Sequence, residues 1–164
     1  MDNAIKLRIC PIKRLFSVLE TLENKDDIAA IICTTEPVPK AKLSGIRCVH
    51  VSFSDITASK RFDAFRPEKA HRIKRFVKNL KDTNVLYVCC DSGESRSAAI
   101  AAAILRYWGK DEMAIWRNVR FRPNPLVYHL QSKAFKCPSS KLRAVLLSKY
   151  NKWLFRKQIK MQRK

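Results

Sequence analysis

Residues 85–108 read VLYVCCDSGESRSAAIAAAILRYW, and this stretch decides the fold. Its first part, Val85 to Cys89, is a short apolar run of the kind that forms a strand covered on both faces. Its last part, Ala98 to Trp108, is rich in alanine and predicts a helix that Gly109 closes at its C-terminus. The stretch therefore predicts a buried strand that passes through a short polar loop into a helix.

The alternation of strand and helix patterns continues on both sides of this stretch. Before it we expect strands at 5–10, 28–33 and 46–53, a helix carrying Leu15 to Leu22, a loop at 34–45 and a helix at about 66–80. After it we expect a short helix capped by Asp111 through Arg120, a helix from Asn124 to Phe135 and a basic helix at about 139–157. These elements predict an α/β fold, a single-domain three-layer sandwich with a mostly parallel central sheet flanked by helices. The domain should span 1–157, followed by a basic tail at 158–164.

The charge of the chain is strongly positive and unevenly distributed. There are 34 Lys and Arg residues against 14 Asp and Glu, a formal net charge of +20, and every acidic residue lies at or before Glu112. Such a field attracts phosphate-rich partners, either nucleic acid or an acidic lipid surface. A solvated basic helix that serves solubility explains the C-terminal half equally well, and both interpretations stay open at this stage.

The six cysteines are interpreted as reduced thiols, because none forms a C-x-x-C pair. Free cysteines in apolar surroundings are usually small buried residues, which is our expectation for Cys10, Cys33 and Cys48. The three tryptophans, Trp108, Trp116 and Trp153, are expected in the core.

No segment resembles a signal peptide or offers the roughly 20 apolar residues that span a bilayer. We therefore expect a cytoplasmic protein, and its oligomeric state stays open.

The polar loop between the strand and the helix has the features of an anion site. It follows a parallel strand, and ligands of α/β folds bind at the carboxyl edge of such sheets. Five residues separate Cys90 from Arg96, enough for backbone N–H groups to surround a tetrahedral anion. Gly93 permits the dihedral angles of such a turn, and the helix beginning near Arg96 contributes its positive end. The predicted phosphate-binding residues are Asp91, Ser92, Gly93, Glu94, Ser95 and Arg96.

Cys90 is the candidate nucleophile of this loop. A cysteine at a helix N-terminus and beside a cation ionises readily, and a thiolate that faces a bound phosphate is a nucleophile. Arg96 can hold two phosphate oxygens with its planar guanidinium. Ser97 Oγ can donate a hydrogen bond to the thiolate and ease its departure. Such covalent chemistry needs no metal and no cofactor.

The loop carries Cys90, five further residues, Arg96 and Ser97, and it lies between a buried strand and an alanine-rich helix. This pattern resembles the signature loop of the cysteine-dependent protein tyrosine phosphatase superfamily, in particular its small dual-specificity branch. The similarity extends from Ile5 to about Phe135 and is weaker in the C-terminal basic helix. One departure is Cys89, which stands where the family usually has a histidine that helps fix the loop.

The resemblance also implies a general acid, an aspartate roughly thirty residues before the cysteine that protonates the leaving oxygen. Asp55 lies at about that separation and directly follows a strand, with Asp63 as the alternative. The same carboxylate would then activate the water that cleaves the cysteinyl-phosphate. The catalytic residues are therefore expected to be Cys90, Arg96, Asp55 and Ser97.

The resemblance implies hydrolysis of a phosphate ester, and the short chain favours a shallow pocket that accepts phosphotyrosine, phosphoserine and phosphothreonine in proteins. Asp91 and Glu94 argue against a polyphosphorylated headgroup in that pocket. The basic surface argues the other way, so an RNA 5′-phosphate or a phosphoinositide is the alternative substrate. Two further alternatives are a phosphate-binding protein without hydrolysis and a rhodanese-like or arsenate enzyme that also uses a cysteine loop.

Overall fold

The computed structural model describes residues 5–162, in which strands and helices alternate. The strands are β1 (Lys6–Pro11), β2 (Ile28–Thr34), β3 (Arg47–Ser52) and β4 (Val85–Cys90). The helices are α1 (Ile12–Thr21), α2 (Pro67–Lys78), α3 (Arg96–Tyr107), α4 (Met113–Trp116), α5 (Pro125–Ala134) and α6 (Lys141–Gln162). A 3-10 helix at Lys40–Leu43 lies within the stretch that was expected to be a loop.

The four strands form one parallel sheet in the order β1-β4-β2-β3. Because β2 and β4 lie at its centre, both of their faces are covered, and every residue of β2 is buried. Alternate side chains enter two separate clusters, with Ile31 and Val88 on one face and Ile32 and Cys89 on the other. The loop that follows Cys90 therefore emerges at the middle of the carboxyl edge of the sheet.

Helices cover the two faces of the sheet and make three layers. The first helix, α1, packs on one face against β1 and β4, while α2 and α3 pack on the other face. Residues 96–104 of α3 are all buried, and its alanines allow it to lie close to the sheet. Outside this layer, α5 packs on α3 and α2, and α6 packs on α4 and α5. This arrangement confirms the predicted three-layer α/β fold, with a sheet that is parallel throughout.

The basic helix α6 is longer than predicted. It continues to Gln162, so residues 158–162 extend the helix instead of forming a tail, and 163–164 lie outside the described residues. Its start agrees with the prediction, because Ser140 Oγ accepts the N–H of Arg143 at 3.0 Å as an N-cap. Neither α6 nor another helix in 5–162 combines the length and the apolar character needed to cross a membrane.

Three further expectations are wrong in detail. The helix expected through Arg120 ends at Trp116, although Asp111 does cap it by accepting the N–H of Met113 at 2.8 Å. Cys48 is exposed and not buried, because β3 is the edge strand of the sheet. Trp153 is 54% exposed on α6, whereas Trp116 is fully buried and makes an edge-to-face contact with the ring of Tyr128.

A buried carboxylate ties the helices together around Glu112. Its side chain is 8% exposed and accepts hydrogen bonds from Arg106 at 2.9 Å and Arg143 at 2.6 Å. The hydroxyl of Tyr128 donates to its second oxygen. Burial and this hydrogen bond raise the pKa of Tyr128, which keeps the phenol protonated. Glu112 thereby joins α3, α5 and α6 through one polar cluster.

Candidate active site

The end of β4 and the start of α3 bring Cys90 and Ser97 together. The sulfur of Cys90 lies 3.1 Å from the hydroxyl oxygen of Ser97. The backbone N–H of Gly93 donates to the same sulfur at 3.2 Å. Both side chains are buried beneath the loop. The Gly93 N–H donates to this sulfur, and the Ser97 hydroxyl lies where it can donate to it once the sulfur is ionised, an arrangement that can stabilise negative charge there.

Gly93 makes the tight turn of the loop. Its φ angle is +70°, a conformation that residues with a side chain rarely adopt. A Cβ atom at this position would lie 2.5 Å from the backbone carbon of Cys10 and 2.5 Å from the nitrogen of Pro11. The loop is therefore pressed against the end of β1, and only glycine allows this approach.

Arg96 is buried and reaches three different segments. Its Nη1 donates to the carbonyl oxygen of Phe53 at 2.8 Å and to Thr35 Oγ1 at 3.1 Å. Its Nη2 donates to the carboxylate of Asp91. Its Nε is buried without a hydrogen-bond partner within residues 5–162. A buried donor without a partner is unfavourable, and an anion bound in the loop would satisfy it.

Asp55 is held at the rim of the loop by two donors. Ser95 Oγ donates to Oδ1 of Asp55 at 2.9 Å, and Asn124 Nδ2 donates to the same oxygen at 2.8 Å. Asn124 also donates to the carbonyl oxygen of Ile56 at 3.1 Å. The structure therefore brings the expected general acid into direct contact with the loop that carries Cys90.

Asn124 has two tasks at the start of α5, where the sequence predicted that a helix begins. Its Oδ1 accepts the N–H groups of Leu126 and Val127 at 3.0 and 3.2 Å, so it is the N-cap of α5. Its Nδ2 holds Asp55, a residue 69 positions earlier in the chain. No local pattern connects two residues so far apart, so the second task could not be read from the sequence.

Asp63, the alternative acid, has a different environment. Arg61 donates to its two carboxylate oxygens at 3.1 and 3.0 Å. A hydrogen bond from the Ser54 side chain, supported by the one from Arg61, holds the pKa of Asp63 below its ordinary value. Asp63 is bound to Arg61, whereas Asp55 contacts Ser95 of the loop that carries Cys90, so the geometry favours Asp55 as the proton donor.

Both acidic residues of the loop are neutralised by arginines. Asp91 is paired with Arg96, and Glu94 accepts from Arg122 Nη2 at 3.3 Å. The backbone N–H of Arg122 also donates to the carbonyl oxygen of Glu94 at 3.0 Å. The loop acids therefore repel an incoming phosphate less than their charges alone would indicate.

Cys89 and Cys90 point to opposite faces of the sheet, as successive residues of a strand must. The sulfur of Cys89 lies 3.5 Å from that of Cys10, its partner on β1. The hydrogen bond with Cys10 and burial raise the pKa of Cys89, so this thiol stays neutral. A buried neutral thiol thus occupies the position where the resembling family usually has histidine.

Comparison with known proteins gives matches among solved structures alone. No protein-family model and no curated protein sequence matches the chain. The structure of PTPMT1 in complex with PI(5)P is similar with a TM-score of 0.55 and 17% identity, over 80% of this chain and 90% of that one. The core catalytic domain of the PP-IP phosphatase SIW14 from S. cerevisiae gives 0.46 and 18%, over 95% and 87% of the two chains. Tk-PTP in the active form gives 0.47 and 16%, over 94% of each chain.

The parallel sheet and the cysteine loop at its carboxyl edge define an α/β protein in which a Cys90-containing loop joins the central strand β4 to the helix α3. The chain shares this fold with PTPMT1. The resemblance inferred from the loop is thereby confirmed at the level of the fold.

Proposed function

We propose that this protein is a cysteine-dependent phosphatase that hydrolyses phosphotyrosine, phosphoserine or phosphothreonine in proteins. The observation that carries the proposal is the convergence of four side chains on one loop. Cys90 contacts Ser97, the buried Nε of Arg96 lacks a partner within residues 5–162, and Asp55 is held at the loop rim. These groups are a nucleophile, an anion-binding donor and a proton donor around one site.

The first half of the reaction transfers the phosphoryl group to sulfur. The substrate phosphate enters the loop, where backbone N–H groups and Arg96 hold its oxygens. The thiolate of Cys90 attacks phosphorus, the bond to the ester oxygen breaks, and Asp55 gives its proton to that leaving oxygen. The dephosphorylated hydroxyl group departs and leaves a cysteinyl-phosphate.

The second half returns the enzyme to its starting state. Asp55, now ionised, takes a proton from a water molecule whose oxygen attacks phosphorus. The sulfur–phosphorus bond breaks, and inorganic phosphate leaves. Ser97, 3.1 Å from the sulfur, donates a hydrogen bond to the departing thiolate. One water is consumed per ester, and no oxidant or reductant is required.

Rapid-mixing kinetics with an aryl phosphate tests the proposed enzyme. We expect a burst of aryl alcohol equal to the enzyme concentration when hydrolysis of the intermediate is slow, and loss of turnover in Cys90→Ser. Thr21→Ser, at the end of α1, is a control that keeps activity. Binding of the substrate to the wild type without turnover would show a phosphate-binding protein instead of an enzyme. Transfer of sulfur instead of hydrolysis would identify a rhodanese-like enzyme.

A substrate panel tests the substrate class. It contains phosphopeptides, a 5′-phosphorylated RNA and a phosphoinositide, because PTPMT1 has been solved with PI(5)P bound. We expect the highest kcat/KM with phosphopeptides at moderate salt, where long-range attraction to polyanions is screened. If RNA or the phosphoinositide alone is hydrolysed, the assignment to protein substrates is wrong while the phosphatase assignment stands.

A further inference from the structure

A pair of thiols lies on the face of the sheet opposite Cys90, where α1 packs on β1 and β4. Cys10 of β1 and Cys89 of β4 are register partners, and their sulfur atoms lie 3.5 Å apart. Neighbouring strands are about 4.8 Å apart, which is within the range of Cα separations that a disulfide bridges. Small side-chain movements can therefore join the two sulfurs.

A cavity of about 550 Å³ borders Cys10, which is 8% exposed. Three arginines line it: Arg8 of β1, Arg14 of α1 and Arg120, which follows α4. No acidic side chain is among the described lining residues, and none of the three arginines forms an ion pair with an acidic side chain in 5–162. The approach to Cys10 is therefore positively charged and favours negatively charged reagents.

The two thiols differ in reactivity. Cys89 is fully buried and stays protonated, so its S–H donates to the sulfur of Cys10. This hydrogen bond and the positive charges of Arg14 and Arg120 hold the pKa of Cys10 below its ordinary value, although burial opposes them. Cys10 is therefore the thiol that ionises, with a second thiol directly beside it.

We propose that Cys10 and Cys89 form a dithiol site that exchanges with small disulfides whose thiols carry carboxylates. Carboxylates are the matching ligand chemistry because guanidinium groups bind them through paired N–H donors. The site is separate from the proposed phosphatase chemistry, since Cys90 enters the cluster on the other face of the sheet. It also requires Cys89, the residue that replaces the histidine usual in the resembling family.

The exchange takes two steps, and the small disulfide is its oxidant. The Cys10 thiolate attacks one sulfur of that disulfide, its S–S bond breaks, and one small thiolate leaves. The sulfur of Cys10 is then uncharged, which removes the hydrogen bond that is the largest cause of the raised pKa of Cys89. Cys89 loses its proton to solvent and attacks the Cys10 sulfur, so the second small thiolate leaves. The small disulfide is thereby reduced to two thiols, and the protein dithiol is oxidised to a disulfide.

Peptide mapping of the full chain treated with dithiobis(nitrobenzoate), a disulfide with a carboxylate on each ring, tests the site. We expect the Cys10 and Cys89 peptides to be crosslinked, with both small thiols released and no adduct retained. Cys48, an exposed free thiol, is the internal control and should retain one adduct. A mixed disulfide that persists at Cys10, or an unreacted Cys10 once Cys48 is fully labelled, would overturn the proposal.

A comparison of reagents tests the charge of the cavity. The rate at Cys10 relative to the rate at Cys48 should be at least about tenfold higher with dithiobis(nitrobenzoate) than with cystamine, a cationic disulfide. The ratio to Cys48 accounts for the intrinsic reactivity of each reagent and for the net charge of the protein. Equal ratios with the two reagents would refute the carboxylate-bearing ligand class.

Paired charge variants test the arginines of the cavity. Arg14→Ala with Arg120→Ala should reduce the preference for the anionic reagent. Arg75→Ala with Lys78→Ala, the same loss of charge at exposed positions of α2 on the other face of the sheet, should preserve it. Equal reductions in the two double variants would show that the cavity does not recognise the reagent.

Two cysteine variants separate this site from the candidate active site. Cys89→Ser removes the second thiol, so Cys10 should retain a stable mixed disulfide, and the wild-type map decides the matter where this variant fails to fold. Cys90→Ser lacks the candidate nucleophile and should still form the disulfide between Cys10 and Cys89. A crosslink from Cys89 to Cys90, or loss of the disulfide in Cys90→Ser, would overturn the dithiol site. Neither result bears on the phosphatase function, which the aryl phosphate assay tests by itself.

Discussion

At the scale of single residues, the proposed chemistry requires Asp55 to give a proton to the leaving oxygen. Asp55→Asn should lower kcat by about 10²- to 10⁴-fold with phosphotyrosine, because the amide cannot supply that proton. Steady-state kinetics with a phosphotyrosine peptide measures the loss.

The matched control for this variant is Asp63→Asn, which removes the other carboxylate of the same loop region. It should retain most of the activity, because Asp63 is bound to Arg61 and not to the catalytic loop. Equal losses of kcat in Asp55→Asn and Asp63→Asn would contradict the role given to Asp55.

Substitution of two glycines that share a left-handed backbone conformation separates the cost of that conformation from the cost of a steric clash. Gly93 and Gly109 have φ angles of +70° and +67°, but a Cβ at Gly109 would meet nothing within 4 Å. Gly109→Ala should lower the free energy of unfolding by about 1–2 kcal/mol, the cost of the left-handed conformation. Gly93→Ala adds a clash with β1 and should lower the free energy of unfolding by about 2–5 kcal/mol. This substitution should also abolish turnover. Urea unfolding of both variants measures the difference, and equal losses would disprove the close approach.

The local sequence pattern predicted the site residues that are contiguous, the family resemblance added Asp55, and the other contacts that the fold creates were missed. Cys90, Gly93 and Arg96 lie in one short loop, so their spacing already describes an anion site. Thr35 contacts Arg96 across 61 positions, and this contact depends on the position of β2 beside β4. Such contacts follow from the order of strands, which no local pattern contains.

At the scale of elements, the buried strands and the helix α3 followed from their apolar patterns, whereas the ends of α4 and α6 did not. After Trp116 the chain turns back so that Arg122 and Asn124 donate backbone hydrogen bonds to Glu94 and Ser95. These tertiary contacts end the helix where its local pattern would continue it. In α6, by contrast, residues 158–162 contain no glycine or proline, so the helix continues beyond its apolar pattern.

The Glu112 cluster connects α6 to α3 and α5, because Arg143, Arg106 and Tyr128 all donate to this one carboxylate. Glu112→Ala leaves Arg106, Arg143 and Tyr128 without their shared acceptor and should lower the free energy of unfolding by about 3–5 kcal/mol. Asp111→Ala, which removes a cap and an exposed ion pair with Arg117, should cost about 1 kcal/mol. Denaturant unfolding measures the free energy of unfolding of the Glu112→Ala and Asp111→Ala variants. Similar decreases in the two variants would show that the cluster does not anchor α6.

At the scale of the whole molecule, the structure shows on which sides of α6 part of the positive charge lies, and the sequence could not predict this distribution of the net charge of +20. One side of α6 carries Lys141, Lys149 and Lys152, which line a cavity beside Asp55 and Ser95. An adjacent side exposes apolar residues: Leu142 is 69% exposed, Leu146 54% and Trp153 54%. Tyr150 stacks on Trp153, and the Lys157 ammonium lies 5.4 Å from the centre of the Trp153 ring. Apolar side chains, interfacial aromatics and flanking lysines are the composition of a helix that lies on a membrane surface. Nucleic acid would use the charges but leave the apolar side chains uncovered.

We propose that this exposed side of α6 lies on anionic lipid bilayers, with Leu142, Leu146 and Trp153 at the acyl boundary. The protein should sediment with vesicles that contain phosphatidylserine and not with neutral vesicles, because each lysine near the surface contributes about 1 kcal/mol. Lys157→Glu with Lys160→Glu should weaken this binding at least about tenfold, whereas Lys78→Glu with Lys81→Glu, the same charge change on and after α2, should not. Brominated acyl chains should quench wild-type fluorescence more than that of Trp153→Phe. Equal weakening by both charge pairs would show that net charge alone, without α6, directs the molecule to the membrane.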